Sequence, residues 1–152
     1  MTAAAVQPDW PNWEILEKHP NSPEVLALIE QRLPTSTIDF LLSLGFERAE
    51  VHSVVLPART LQHRLSRKEP LTVEESDRVI RLLRVLKASE DLYESRESAL
   101  AFLRRPSPRL DPDLKNVPFA TGGRPPISRL NTEIGARQVE AVLAQIADGM
   151  FV

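Results

Sequence analysis

The sequence predicts an all-α protein with a helix-turn-helix near its centre and a small helical domain after it. Apolar residues recur at spacings of three and four along the whole length, whereas the alternation typical of strands is absent. Serine, threonine and glycine stand where helices would begin and end. Because 42% of the 152 residues are hydrophobic, the chain has enough apolar surface for a compact core.

Thirteen prolines divide the chain, and six of them fall between Pro106 and Pro126. Proline disfavours helix in the residue before it, so this cluster and a second one near the start predict connecting segments. We therefore predict an N-terminal arm with one or two helices at 1–34, a helix-turn-helix region at 35–71, a long and a short helix for connection or dimerisation at 72–105, and a C-terminal domain at 106–152.

The first helix is predicted after Ser22, a favoured N-cap, and Pro23, which suits a first helical turn. Its apolar side comprises Val25, Leu26, Leu28, Ile29 and Leu33. A short second helix opens at Ser36 with Asp39 three residues on. Gly45 is placed to end it, because glycine accepts the left-handed conformation.

Two helices joined by a tight turn are predicted over Glu47–Val55 and Ala58–Ser66. Val51, Val54 and Leu61 would hold the pair together. The length and pattern are those of a helix-turn-helix motif, which places its second helix in the major groove of DNA.

The second of these helices is the predicted DNA-binding element. The segment 57–68 has four positive charges and no negative one. Arginine and glutamine make bidentate contacts to base edges, and threonine, arginine and lysine reach phosphates. The predicted DNA contacts are Arg59, Thr60, Gln62, His63, Arg64, Arg67 and Lys68. The alternative is a short exposed helix that is basic without binding DNA.

A capping box at Thr72 and Glu75 opens a long helix that we expect to run to about Tyr93. Apolar residues cover more than half its circumference, which predicts packing on two sides. Arg78, Arg81 and Arg84 are expected on its solvated face, with a nucleic-acid stripe as the alternative.

Two further helices are predicted in the remaining chain. Ser95 caps a short helix with Ala99, Leu100, Phe102 and Leu103, and the last helix, at about 133–147, ends near Gly149. The core of the C-terminal domain would be Ile134, Val139, Val142, Leu143 and Ile146. Three apolar residues, 150–152, follow Gly149, and we expect them to fold back or to meet a partner.

The residues that enzymes need are scarce. The chain has no cysteine, and no histidine stands beside a second ligand at helical spacing, so we expect neither a metal nor a cofactor. It has no glycine-rich phosphate loop and no serine in a nucleophile turn. With no leader and no apolar run long enough to span a bilayer, we expect a cytoplasmic binding protein without membrane contact, not an enzyme.

Two separated blocks of sequence resemble one family. The run Leu56-Pro57-Ala58-Arg59-Thr60-Leu61-Gln62-His63-Arg64, with Glu75-Ser76-Asp77-Arg78 after it, is similar to antitoxins of the Xre/ParS/MbcA family, which are paired with RES-domain toxins. Thr132-Glu133-Ile134-Gly135-Ala136-Arg137-Gln138-Val139 resembles the toxin-binding domain of the same family. The resemblance covers roughly residues 34–152.

The resemblance implies a type II antitoxin with an Xre-like helix-turn-helix domain and a small helical toxin-binding domain. Such a protein dimerises, represses its own operon by binding operator DNA, and covers the cleft of a toxin that degrades NAD or ADP-ribosylates a target. The toxin contacts would be Gly149, Met150, Phe151 and Val152, with Arg129 and Arg137 as secondary candidates whose alternative is ordinary solvated charge.

Two segments depart from the family pattern. Residues 111–121 look like an insertion, and the arm with Trp10 and Trp13 lies outside the matched part. Those side chains are expected to cover a core edge, with anchoring of a partner as the alternative. The alternative function is a stand-alone helix-turn-helix regulator whose C-terminal domain dimerises or binds a small ligand.

Overall fold

The structure, a computed structural model, describes residues 18–118 and 122–149 of the chain. Seven α-helices and no strand lie in this part, which confirms the predicted all-α class. The helices are α1 (Pro23–Glu30), α2 (Ser36–Ser43), α3 (Arg48–Val54), α4 (Ala58–Arg67), α5 (Val73–Tyr93), α6 (Arg96–Arg104) and α7 (Glu133–Ala147). Short 3-10 helices occupy Pro108–Leu110 and Pro126–Arg129. Within the described ranges, no helix has both the length and the apolar character needed to cross a membrane.

The chain divides into two compact units, and the division falls between Arg84 and Val85, inside α5. The first unit contains α1 to α4 and the first half of α5. The second contains the rest of α5, α6, both 3-10 helices and α7. The long helix is therefore shared between the units.

Helix α1 begins as predicted, with the Ser22 side chain accepting a hydrogen bond from the backbone N–H of Val25. Val25, Leu28 and Ile29 are buried. The prediction for Leu26 is wrong, because this side chain is 56% exposed. Leu26 lies about 100° from Val25 around the helix and so falls beside the stripe that the other three form.

The connection after α1 is tied to the start of α5. Arg32 adopts a left-handed backbone conformation (φ 64°), and its Nε donates to the carbonyl of Leu71 at 2.9 Å. The backbone N–H of Leu33 donates to Ser76 Oγ at 2.9 Å, and the N–H of Leu71 donates to the carbonyl of Leu33 at 2.9 Å. These bonds hold the end of α1 to the start of α5 within the first unit.

Helix α5 has a wide buried surface, as predicted. The residues of its middle part that are at most 3% exposed are Val79, Ile80, Leu82, Leu83, Val85 and Leu86. The expectation that its arginines lie on a solvated face is wrong for Arg81, which is 7% exposed and pairs with Asp77 at 2.7 Å. Its long aliphatic stem can be buried while the guanidinium keeps an acidic partner.

The second unit has a core on α6 and α7. Ser95 caps α6, and Ala99, Leu100, Phe102 and Leu103 are buried as predicted. Helix α7 buries Val139, Val142 and Leu143, whereas Ile146 is only partly buried. The prediction for Ile134 is wrong, because this residue is 72% exposed. It lies about 140° around the helix from Val139, on the opposite face.

Gly149 ends α7 as the sequence predicts, whereas Thr132, which was not predicted as a cap, begins it. Thr132 Oγ1 accepts from the N–H of Gly135 at 3.0 Å. Gly149, at φ 71°, follows the last turn, and its N–H donates to the carbonyl of Ile146 at 3.0 Å. Local capping chemistry therefore fixes the length of this helix.

Candidate nucleic-acid interface

Helices α3 and α4 form the predicted helix-turn-helix. A capping box opens α3, in which the N–H of Glu47 donates to Glu50 Oε1 at 2.8 Å. Val51, Val54 and Leu61 are buried, as expected, at 0%, 4% and 7% exposure. The turn is apolar and closed as well, since Val55 and Leu56 are 1% and 2% exposed.

The outer face of α4 presents most of the predicted DNA contacts. Arg59, Gln62, His63 and Arg67 are exposed, and at about 100° per residue they fall within roughly 140° of one another around the helix. Leu61 lies on the other side and is buried. One face of this helix is therefore cationic and polar, while its opposite side packs into the unit.

The two ends of α4 add to this surface. Its first turn has no acidic residue, and no side chain caps its N-terminus. Thr60 is half-buried. At the other end, Lys68 is exposed and ends the helix in the left-handed conformation (φ 55°). The exposed charged side chains of α4 are therefore all basic, from its first turn to its C-cap.

Arg64 differs from the other predicted contacts, because the structure gives its guanidinium an internal partner. Its Nε donates to Glu75 Oε1 at 3.2 Å, and its Nη2 donates to Glu75 Oε2 at 3.2 Å. The two side chains are 18% and 8% exposed. The bonds to Glu75 raise the pKa of Arg64, so this guanidinium remains charged and paired.

Glu75 also forms the predicted capping box of α5. The backbone N–H of Thr72 donates to Glu75 Oε1 at 2.9 Å, and the N–H of Glu75 donates to Thr72 Oγ1 at 3.1 Å. Burial tends to raise the pKa of Glu75, but the hydrogen bonds from Arg64 and Thr72 outweigh it and hold that pKa below its ordinary value. One carboxylate therefore joins the end of α4 to the start of α5.

Arg78, one turn further along α5, contacts the turn of the motif. Its Nη1 donates to the carbonyl of Val55 at 3.1 Å. The sequence pattern did not indicate this bond, nor the Arg64–Glu75 pair, since both join residues that the intervening turn brings together.

The predicted toxin contacts are spread over the second unit. Arg129 is half-buried, and its Nε has no hydrogen-bond partner among the residues that the structure describes. Arg137 is exposed and pairs with Glu133 at 3.0 Å. Gly149 is exposed, whereas Met150, Phe151 and Val152 lie outside the described residues, as do Trp10 and Trp13. Of the segment 111–121, the structure describes residues 111–118, which form turns.

The second unit also has a pocket of about 200 Å³ that the sequence did not indicate. A pair of rings, Tyr93 and Phe102, lines it with their centroids 5.5 Å apart, together with Arg105 and Ile146. Neither Arg129 nor Arg137 is among its lining residues. The described ranges contain no group of three or more histidine, aspartate and glutamate side chains that could hold a metal ion.

Residues 24–84 match the antitoxin Xre-like helix-turn-helix domain, so the match includes α1 and ends where the first unit ends. An Antitoxin Xre of Pseudomonas putida is 35% identical over 95 residues, which are 62% of this chain and 53% of that protein. An Antitoxin Xre of Photorhabdus laumondii subsp. laumondii is 25% identical over 86% of this chain and 82% of its own length. One of Yersinia enterocolitica is 31% identical over 63% of this chain and 58% of its own.

The chain thus spans just over half the length of the Pseudomonas putida relative. The matched domain contains the cationic face of α4, and all three of these relatives carry the same description. Residues 24–84 are therefore similar to the antitoxin Xre-like helix-turn-helix domain, and the chain is similar to three relatives named Antitoxin Xre.

Proposed function

We propose that the chain is the antitoxin of a type II toxin–antitoxin pair, which binds the operator of its own operon through α4 and neutralises its toxin through the C-terminal region. The observation that supports DNA binding most strongly is the exposed face of Arg59, Gln62, His63 and Arg67 on the second helix of a helix-turn-helix. Arginine and glutamine would read base edges, and Lys68 would contact phosphate.

The proposed target of the second unit is a RES-domain toxin that degrades NAD or ADP-ribosylates a protein. The RES-domain identity follows from the resemblance of residues 132–139 to the family's toxin-binding domain. The relatives' shared name, Antitoxin Xre, supports only that the partner is a toxin. In it, the segment from Gly149 to Val152 covers the toxin's active-site cleft, and Arg129 and Arg137 add polar contacts. The antitoxin acts as a homodimer within the complex, since operators of helix-turn-helix proteins commonly contain two half-sites.

The DNA proposal is tested by titrating the purified chain onto a labelled fragment from upstream of its own gene. Arg59→Ala should weaken binding by about 1–3 kcal/mol if it removes a base contact. Arg137→Ala removes the same charge from an exposed helical position of the second unit and should leave DNA affinity unchanged. If the wild type and Arg59→Ala bound DNA with equal affinity, the outer face of α4 would not be the surface that recognises the DNA bases.

The toxin proposal is tested by co-expression with the product of the adjacent gene. Removal of Gly149–Val152 should abolish rescue of cells that express the toxin, because a terminal plug would be missing from the cleft. Unimpaired rescue together with full-strength complex formation would refute plugging by this segment.

A second candidate function is a stand-alone transcriptional regulator. It is favoured by one observation, namely that the domain match ends at residue 84 and leaves the second unit unassigned. The two proposals differ in the neighbouring gene: an antitoxin requires a toxin gene with RES-type arginine, glutamate and serine residues, whereas a regulator does not.

A further inference from the structure

We infer that Glu75 is a positioning residue for the DNA-binding helix, and that Arg64 acts through it and does not read DNA. The inference rests on the proposed DNA-binding function. It is carried by the two parallel hydrogen bonds between the Arg64 guanidinium and the Glu75 carboxylate, each 3.2 Å long.

Arg64 lies at the border of the exposed cationic face of α4, about 60° around the helix from Arg67 and about 60° from the buried Leu61. Arg64 lies about 140° around the helix from Arg59. A forked pair of this kind fixes the orientation of both side chains as well as their separation. Since Glu75 is 6% exposed, neither the carboxylate nor its partner has room to rotate freely.

Glu75 is itself held by the start of α5. Its Oε1 accepts from the N–H of Thr72 at 2.9 Å, and its own N–H donates to Thr72 Oγ1 at 3.1 Å. The hydrogen bonds with Thr72 therefore fix the Glu75 carboxylate at the start of α5. Through its pair with Arg64, this carboxylate holds the last turns of α4 in place.

A second bond from the same helix holds the end of α3, just before the connection into α4. Arg78 Nη1 donates to the carbonyl of Val55 at 3.1 Å, immediately before the turn that leads into α4. The first turns of α5 thus contact both the end of α3 and the last turns of α4. Base readout depends on such support, because bidentate contacts in a groove require side chains at fixed positions.

The substitution Glu75→Gln separates two roles for Arg64, because positioning by Glu75 and direct contact between Arg64 and DNA predict opposite changes in DNA affinity. Glu75→Gln removes a negative charge close to the DNA-binding helix and releases Arg64. If Arg64 contacted DNA, the loss of its competitor and of a repulsive charge would strengthen binding. If Glu75 positions α4, the same substitution weakens binding even though the chain has become more positive.

The experiment compares Glu75→Gln with Glu74→Gln by titration of the upstream DNA fragment over a range of salt concentrations. Glu74 is the neighbouring exposed acid, so the control makes the same change of charge in the same helical turn. We expect Glu75→Gln to weaken specific binding by about tenfold or more. The slope of log affinity against log salt should stay that of the wild type, because no phosphate contact is lost. Glu74→Gln should bind as tightly as the wild type or slightly more tightly.

Arg64→Lys provides the second variant, and circular dichroism establishes that each protein is folded at the assay temperature. Lysine keeps the charge but not the fork, so positioning predicts weakened, less selective binding, whereas a phosphate contact would be retained. The inference is overturned if Glu75→Gln binds as tightly as Glu74→Gln or more tightly, or if Arg64→Lys binds like the wild type. Those results leave the proposed function intact when Arg59→Ala still loses affinity. A wild-type chain that does not bind the fragment at all would refute the proposed function itself.

Discussion

Gly135, in the first turn of α7, is predicted to be the glycine least able to accept a methyl group among those that the structure describes in the second unit. A Cβ at this position would lie 1.9 Å from the carbonyl oxygen of Arg129, 2.9 Å from its carbonyl carbon and 2.9 Å from Thr132 Oγ1. The first two atoms belong to the backbone of the 3-10 helix that packs on α7. They cannot move aside as the end of a flexible side chain would.

Helix propensity and packing therefore oppose each other in Gly135→Ala. Replacing glycine by alanine inside a helix stabilises it by about 1 kcal/mol. Forcing the helix away from the 3-10 turn costs about 1–3 kcal/mol, and loss of the Thr132 cap adds about 1 kcal/mol. We expect a net loss of about 2 kcal/mol in the free energy of unfolding.

Urea titration followed by circular dichroism measures this change. The matched control is Ala141→Gly, at an exposed position of the same helix, which should lose about 1 kcal/mol from propensity alone. A Gly135→Ala protein that is as stable as the wild type, or more stable, would show that the contact with Arg129 is not tight and would refute the reasoning.

Three further predictions concern stability. Glu94 is exposed and adopts the left-handed conformation (φ 61°), which costs a non-glycine residue about 1 kcal/mol. Glu94→Gly should remove this cost and raise the melting temperature, and an unchanged or lower melting temperature would contradict this. Because the pKa of Glu75 is lower in the folded chain than its ordinary value of 4.5, the unfolded chain takes up this proton first, and the stabilisation is lost as pH falls below about 4.5. Urea titrations between pH 3 and 7 should thus show a steeper acid loss for the wild type than for Glu75→Gln, and parallel curves would contradict the pairing. Thr132→Ala should destabilise α7 by about 1 kcal/mol in the same urea assay, and no change would mean that its cap is dispensable.

The helix limits could be predicted because their causes are local. Ser22, Thr72 and Ser95 each bind a backbone N–H group three residues on, and Gly149 supplies a left-handed C-cap. Such bonds depend only on neighbouring residues. Their positions in the sequence therefore indicate where helices begin and end without knowledge of the tertiary structure.

Whether an individual side chain is buried or exposed was harder to predict than the helix limits, because burial depends on the elements that pack against it. Leu26 and Ile134 belong to apolar segments, yet nothing covers them in the described part of the chain. Arg81 belongs to a charged pattern and is nevertheless buried. Periodicity gives the width of an apolar stripe, but the neighbouring elements decide its edges.

The sequence predicted which side chains α4 exposes, but it did not predict the ion pair between α4 and α5. The basic composition of 57–68 and the turn at Leu56-Pro57 were sufficient to place Arg59, Gln62, His63 and Arg67 on one helix. Arg64 pairs with Glu75, eleven residues further along the chain. The backbone between them turns at Lys68, which is left-handed, so the pair depends on the path of the connection between α4 and α5. Sequence spacing alone does not determine that path.

Amide hydrogen exchange of the full chain, with and without the upstream DNA fragment, tests most directly whether α4 binds DNA. The account predicts slower exchange on DNA binding in residues 58–68 and in the first turn of α5, with residues 133–147 unchanged. Protection confined to the second unit, with α4 exchanging at the same rate in both samples, would contradict it.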